Sequence, residues 1–361
     1  MPLVANSALP AFARLRQEGV NVLDPTRAHD QYIRELHIGL LNMMPDAALK
    51  ATEMQFFRLI ADSNPIAQFY VHPFTLDGLE RGAVAQEHIA SFYQSFEQVR
   101  QEGLDGLIIT GANVVGPELS NQPFWEPLKE VVDWAWDNVT STLCSCLATH
   151  AVMQFRYAQK RHPQASKKWG VFKHRLTRIR HPLTVDINSR FDVPHSRWNA
   201  VYPEQFAACG LPVLVTEEDD GCVHLATSED GFRIVFFQGH PEYDTISLLK
   251  EFKREVLRFI AGDLAQFPPF PENYFGCFEA AVFREYRYNL LQAMAQGRQL
   301  PEFPEATVEQ HLDNSWCDTA DAVVGNWLGL IYQLTHKDRK IPFMDGIEPS
   351  DPLGITKKIS G

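Results

Sequence analysis

Cysteine is scarce in this chain and badly spaced for crosslinking. Six occur in 361 residues, at positions 144, 146, 209, 222, 277 and 317, with no C-x-x-C pair, so neither a disulfide framework nor the usual zinc knuckle is expected. Cys144, Cys146 and His150 lie close together, but that spacing alone does not make a metal site, and none is expected. Positive charge is also short. Lys and Arg total 33 against 45 Asp and Glu, a net charge of −12, which disfavours nucleic acid and anionic membrane surfaces as partners. No apolar run reaches the roughly 18 residues a membrane span needs, and MPLVANSALPAFARLRQEG lacks the pattern of a secretory signal. Internal repeats are absent too. What remains is a reduced, cytoplasmic chain acting on small molecules.

With 45% hydrophobic and 11% aromatic residues, the chain can bury a large core. Its first half alternates apolar runs with helical stripes. Glu35 to Met44 reads as a buried strand stopped by Pro45, and Phe56, Leu59 and Ile60 mark the helix behind it. Ile66 to Val71 predicts a second strand, followed by one helix with Ile89, Phe92, Tyr93, Phe96 and Val99 on a single stripe. Leu104 to Thr110 predicts a third, running into Gly111, with Leu128, Val131, Val132 and Ala135 on its helix. A fourth strand, Val139 to Ser145, leads to Cys146. Nearly all-apolar strands alternating with helices imply an α/β fold, a mostly parallel sheet covered by helices on both faces. Ligands of such sheets bind beyond the carboxyl ends of the strands, where Gly111 and Cys146 should be neighbours.

From Gly170 to Gly239, short alternating runs separated by turn signals predict antiparallel or mixed β-structure. A helix from Thr245 carries Leu249, Phe252, Val256 and Phe259 on one stripe, with Gly262 as terminator. After the Pro-rich stretch 267–271 come two helical stretches, Phe278 to Gln296 and Thr319 to Thr335, then a polar tail. The expected organisation is an N-terminal segment (1–34), a catalytic domain (35–265) and a helical C-terminal extension with its tail (266–361).

Cys146 follows a strand and precedes Leu147 to Tyr157, which can be helical, so it can occupy a nucleophile elbow. The helix N-terminus favours a thiolate there, and the backbone N–H of Leu147, with those of Gly111 and Ala112, can face an oxyanion. By itself a cysteine at a strand end is more often a buried structural residue. Downstream, Gln238-Gly239-His240-Pro241-Glu242 ends the run FRIVFF. Residues two apart in an extended segment share a side, so Glu242 can hold one ring nitrogen of His240 while the other faces the thiol.

GLLNMMPDAALKATEMQFFRLI, DGLIITGAN, VTSTLCSCLATHA, GVFKHRL, VPHSRW, FFQGHPEYDTISLLKEFKREV, ENYF and NWLGLIYQLT together resemble the homoserine O-acyltransferase family, over about residues 33–335. That family's fold is similar to the class I glutamine amidotransferases. The resemblance implies an acyl-thioester on Cys146, His240 as proton acceptor, Glu242 as its orienter, and Lys167, Ser196 and Arg254 as substrate-binding residues. It further implies homoserine and acyl-CoA as substrates, no bound cofactor, a homodimer, and a place in methionine biosynthesis. In the family, a position shortly after the TGA turn separates acyl donors, glycine admitting succinyl and glutamate excluding it. Here that position is Val115, which is neutral, and succinyl-CoA is the expected donor. The chain departs from the family pattern at Leu147-Ala148-Thr149-His150-Ala151 and near Lys50. Acetyl transfer, transfer to serine, a glutaminase, and a non-catalytic redox-sensing thiol on the same fold are the competing readings.

Overall fold

In the computed structural model of the chain, the described residues are 3–355 without 32, 64–66, 113, 115, 117, 178 and 179. Ile66 and Val115, both named above, lie outside them. The parallel half contains β1 (Leu3–Val4), β2 (Val22–Leu23), β3 (Glu35–Leu41), β4 (Gln68–Phe74), β5 (Gly106–Ile109) and β6 (Ser141–Ser145). Connecting them are α1 (Pro10–Gln17), α2 (Pro25–His29), α3 (Asp46–Ser63), α4 (Ala83–Phe92), α5 (Phe96–Glu102) and α6 (Trp125–Asn138). The chain continues through α7 (Leu147–Tyr157), β7 (His162–Leu176), β8 (Arg190–Ala200), α8 (Pro203–Ala208), β9 (Val213–Glu217), β10 (Val223–Thr227) and β11 (Ile234–Phe237). Four helices follow: α9 (Ser247–Ala261), α10 (Cys277–Gln296), α11 (Glu305–Glu309) and α12 (Cys317–Leu334).

All these strands form one sheet in the order β2-β1-β4-β3-β5-β6-β11-β10-β9-β7-β8. Neighbours are parallel from β2 to β11 and antiparallel from β11 to β8. The α/β fold expected from the apolar runs is therefore present. β3, β5 and β6 are buried because helices cover both faces of this half, which is why their sequences run nearly all apolar. One face packs Ile38, Leu40, Phe56 and Phe69 with Trp327 and Ile331 of α12; the other packs Leu107 and Ile109 with Leu128, Val131 and Val152. Each such fully buried side chain contributes roughly 1.5–3 kcal/mol by leaving water.

Register decides what meets at the sheet's edge. Parallel pairing sets Ser145 beside Phe237 and Cys144 beside Ile109, so Gly111, Cys146 and the Gln238–Glu242 turn leave the sheet together.

The helix expected through Ile89 and Val99 is instead two helices. Tyr93 leaves α4 in an extended conformation, its hydroxyl donating to Glu53 Oε1 at 2.6 Å, and Ser95 opens α5 with a capping box to Gln98. Satisfying a buried carboxylate and capping a new helix outweigh continuing the old one. The C-terminal segment packs an aromatic cluster, Phe267, Phe275, Phe283 and Phe303, around Phe252 of α9. It also fastens the turn before α9, with Trp316 Nε1 donating to Tyr243 O at 2.8 Å and Tyr274 Oη to Thr245 O at 2.5 Å.

Candidate active site

Cys146 sits between β6 and α7 with φ 51° and ψ −107°, a backbone conformation that L-residues rarely adopt and that costs about 1–3 kcal/mol. The elbow is held by Cys146 N–H donating to Phe237 O at 2.8 Å and by Thr149 Oγ1 donating to Cys144 O and Phe237 O, both at 2.9 Å. The N–H of Leu147 belongs to the first turn of α7, which has no intrahelical acceptor for it. Gly111 lies against the elbow: a Cβ there would be 3.5 Å from Cys146 Cβ and 3.8 Å from Leu147 N. Gly111 and Leu147 are thus together at the nucleophile, and Ala112 follows in the same loop.

His240 and Glu242 are both buried, and Nδ1 of the ring lies 2.8 Å from Glu242 Oε1. That pairing leaves Nε2, buried and without a conventional hydrogen-bond partner, for the Cys146 sulfur. Burial pulls the His240 pKa down, but the negative charges of Glu242 and Cys146 outweigh it and hold the ring well above its ordinary value. The ring also stacks on Tyr243, centroids 4.3 Å apart. Its backbone N–H donates to Pro194 O at 2.9 Å.

Lys167 and Ser196 come together from β7 and β8 on a residue that sequence reasoning missed. Glu251 of α9 receives Lys167 Nζ at 3.0 Å and Ser196 Oγ at 2.6 Å on Oε2, and Tyr243 Oη at 2.6 Å on Oε1. Burial raises the Glu251 pKa, yet Lys167 and these donors bring it below the usual carboxylate value. A glutamate three residues before Arg254 on an amphipathic helix was the available signal. The neighbouring Lys168 points to the other side of its strand, paired with Glu217 and, at 2.7 Å, with Asp220. Arg254 is half-exposed, one turn beyond Glu251, its Nε 3.5 Å from Glu255 Oε1; the structure does not bring it into contact with Cys146, His240 or Glu242. Lys50 is exposed on α3. Val115, the expected acyl-selecting position, lies outside the described residues.

Behind the Gly239–His240 turn lies a row of buried histidines. His174, His195 and Glu217 have ligand atoms within 4.8 Å of one another, the spacing of a metal site. Their protons are already assigned. His174 Nδ1 must donate to Phe172 O at 2.8 Å, so its Nε2 accepts from His195 Nε2–H at 3.1 Å, and His195 Nδ1 accepts from Arg197 Nε at 3.3 Å. Glu217 is taken by Lys168. The donor set fits a neutral hydrogen-bonded row better than a cation. Burial lowers the pKa of His174, to about 4, of His195 and of His224, whose Nδ1 accepts from Gly239 N–H at 3.3 Å.

A strained cysteine elbow, a buried His–Glu pair and a glycine against the elbow are the parts that acyl transfer through a thiol requires. The family model described as homoserine O-succinyltransferase matches residues 2–337. The chain belongs to the homoserine O-succinyltransferase family. Proteins named homoserine O-succinyltransferase from Allochromatium vinosum and Nitrosococcus oceani are 64% and 59% identical to it, covering 98% and 99% of this chain and 99% of each relative. One from Thiobacillus denitrificans is 61% identical over 98% of this chain and 100% of its own. Among solved structures, a glutamine amidotransferase from Thermotoga maritima aligns with 82% of this chain and 98% of its own at TM-score 0.43 and 10% identity. Among the described residues of this homoserine O-succinyltransferase family member, no helix is long and apolar enough to cross a membrane.

Proposed function

We propose that the protein transfers a succinyl group from succinyl-CoA to the hydroxyl of L-homoserine through a thioester on Cys146. The observation that carries the chemistry is the Cys146 elbow with His240 Nδ1 held 2.8 Å from Glu242 and Gly111 packed against Cys146 at its Cβ. Family membership supports the substrates.

In the first half-reaction the Cys146 thiolate, paired with the His240 imidazolium, attacks the thioester carbonyl of the donor. Negative charge develops on the carbonyl oxygen, where the backbone N–H groups of the Gly111-Ala112 loop and Leu147 can receive it, each such donor being worth roughly 2.7–4 kcal/mol. The tetrahedral species collapses, breaking the bond to the CoA sulfur, and the His240 proton leaves with CoA. Neutral His240 then takes the proton of the homoserine hydroxyl as that oxygen attacks the acyl-Cys146 carbonyl; collapse releases the ester and restores the thiolate–imidazolium pair. Glu242 keeps the tautomer correct and stabilises the charged ring.

An amino-acid acceptor needs a cation for its carboxylate and an anion for its ammonium group. Lys167 and Glu251, already adjacent at 3.0 Å, offer one of each beside Tyr243, and Arg254 is a second cation on the same helix. On this reading the protein works in the cytoplasm as a homodimer, with the acyl donor as co-substrate and no bound cofactor, and serves methionine biosynthesis.

Isotope exchange tests the two half-reactions separately. Labelled CoA should exchange into succinyl-CoA without homoserine, and initial-rate plots with both substrates should be parallel. Exchange that requires homoserine would sink the two-step scheme.

A further inference from the structure

Arg161 lies in the short connection between α7 and β7 and is almost fully buried. Its Nη2 donates to the carbonyl oxygen of Val114 at 2.8 Å and also to that of Gly116, the residues on either side of position 115. The same stretch fastens the loop further on, with Gln154 Nε2 donating to Glu118 Oε1 at 2.6 Å and Lys160 Nζ to Glu118 Oε2 at 2.5 Å. That loop begins at Gly111, against Cys146. Arg161 therefore fixes, at Val114 and Gly116, the loop that starts at the nucleophile.

A buried guanidinium is also a charge whose field is weakly screened. Burial pulls the Arg161 pKa down while the negative charge of Cys146 opposes the shift, so the two groups are within electrostatic reach. The same cation helps burial lower the pKa of His150, one turn along α7 from Cys146, to about 3. An acyl group ending in a carboxylate, joined to Cys146, carries its free charge only three C–C bonds from the thioester carbon, roughly 4 Å.

We propose that Arg161 is a specificity-determining positioning residue, which holds the loop that starts at Gly111 through the carbonyl groups of Val114 and Gly116 and by its charge selects an acyl donor with a free terminal carboxylate over an uncharged one. The proposal rests on the thioester reading for the identity of the donor, but the charge effect at Cys146 can be measured without any acyl transfer.

The test uses full-length wild type, Arg161→Gln and Arg161→Lys. Alkylation of Cys146 by iodoacetate and by iodoacetamide is followed by peptide mass, the first reagent carrying the carboxylate and the second none, alongside kcat/KM for succinyl-CoA and acetyl-CoA. The iodoacetate-to-iodoacetamide rate ratio should fall about tenfold in Arg161→Gln and stay within about threefold of wild type in Arg161→Lys, with the succinyl-to-acetyl preference falling in parallel, as expected for loss of one charge-assisted contact. An unchanged ratio in a folded Arg161→Gln overturns the proposal. If that variant does not fold, a tenfold loss in Arg161→Lys overturns the role of charge, and retention supports it. A charge-dependent alkylation ratio in a protein that transfers no acyl group would leave Arg161's role standing and remove the proposed function instead.

Discussion

Replacing Glu242 by glutamine removes one charge from a buried pair while keeping its shape. His240 and Glu242 are 6% and 7% exposed, so the charge-assisted hydrogen bond at 2.8 Å stands near the upper end of the usual range, roughly 3 kcal/mol. Lost from the transition state alone, that is about 150-fold in kcat/KM. A second effect adds to it. A glutamine amide can donate to Nδ1 and favour the tautomer whose Nε2–H faces the sulfur, a fault that costs about 10⁴ in serine enzymes but less where the thiol ionises readily. The expected loss is therefore roughly 10² to 10³. The pH profile gives the sign. Glu242 and Cys146 hold the His240 pKa well above normal, so the thiolate–imidazolium pair survives to alkaline pH and is lost as pH rises through that pKa. Without Glu242 the ring pKa falls, and the alkaline limb of kcat/KM for acyl transfer, which needs the imidazolium proton for departing CoA, moves to lower pH. Rates within threefold of wild type with an unmoved alkaline limb would refute this assignment of Glu242.

Gly239→Ala would place a Cβ 2.5 Å from Val193 Cγ1 and 2.8 Å from His224 Nδ1, so overpacking should cost about 1–3 kcal/mol and displace His240; a Tm and kcat/KM equal to wild type would contradict the packing. Glu251→Gln should raise KM for homoserine about tenfold or more with less effect on acylation by the donor, as measured in separate half-reactions. The depressed Glu251 pKa stabilises the fold above the ordinary carboxylate pKa and is lost as pH falls through the folded value, so this variant should also lose part of wild type's acid-side fall in stability. Asp321 has the opposite sign. Burial and the nearby Asp62 and Asp318 raise its pKa to about 6, so its contribution is lost as pH rises through 6, and Asp321→Asn should raise Tm at pH 8 but hardly at pH 4; a gain equal at both would refute the linkage.

What could be read in the chain follows where local pattern and tertiary demand agree. The runs of β3, β5 and β6 were visible because helices bury both their faces, and α7 spans Leu147–Tyr157, as its sequence suggested, because the elbow starts it. Gly262 was legible as a terminator because the left-handed cap, φ 86°, suits glycine. The break at Tyr93 was hidden because an apolar stripe continues through it; the reason lies in Glu53, 40 residues earlier. The short strands β1 and β2 were missed since two residues carry no period. His240 and Glu242 could be paired by spacing alone, whereas Glu251 gathers partners from β7, β8 and the turn before α9, a convergence no local window contains. Lys167 and Lys168 were equivalent in sequence and are separated only by the pleat.

The central claim is a thioester on Cys146, and its most direct test is peptide mass analysis after incubation with succinyl-CoA in the absence of homoserine. Burial leaves Cys144 with no exposed surface and pushes its thiol pKa up, so it serves as an internal control two residues away. The account predicts one succinyl group on Cys146, none on Cys144, removal of the adduct when homoserine is added, and no adduct in Cys146→Ala. An unmodified Cys146, or a succinyl group on Cys144 alone, would contradict it.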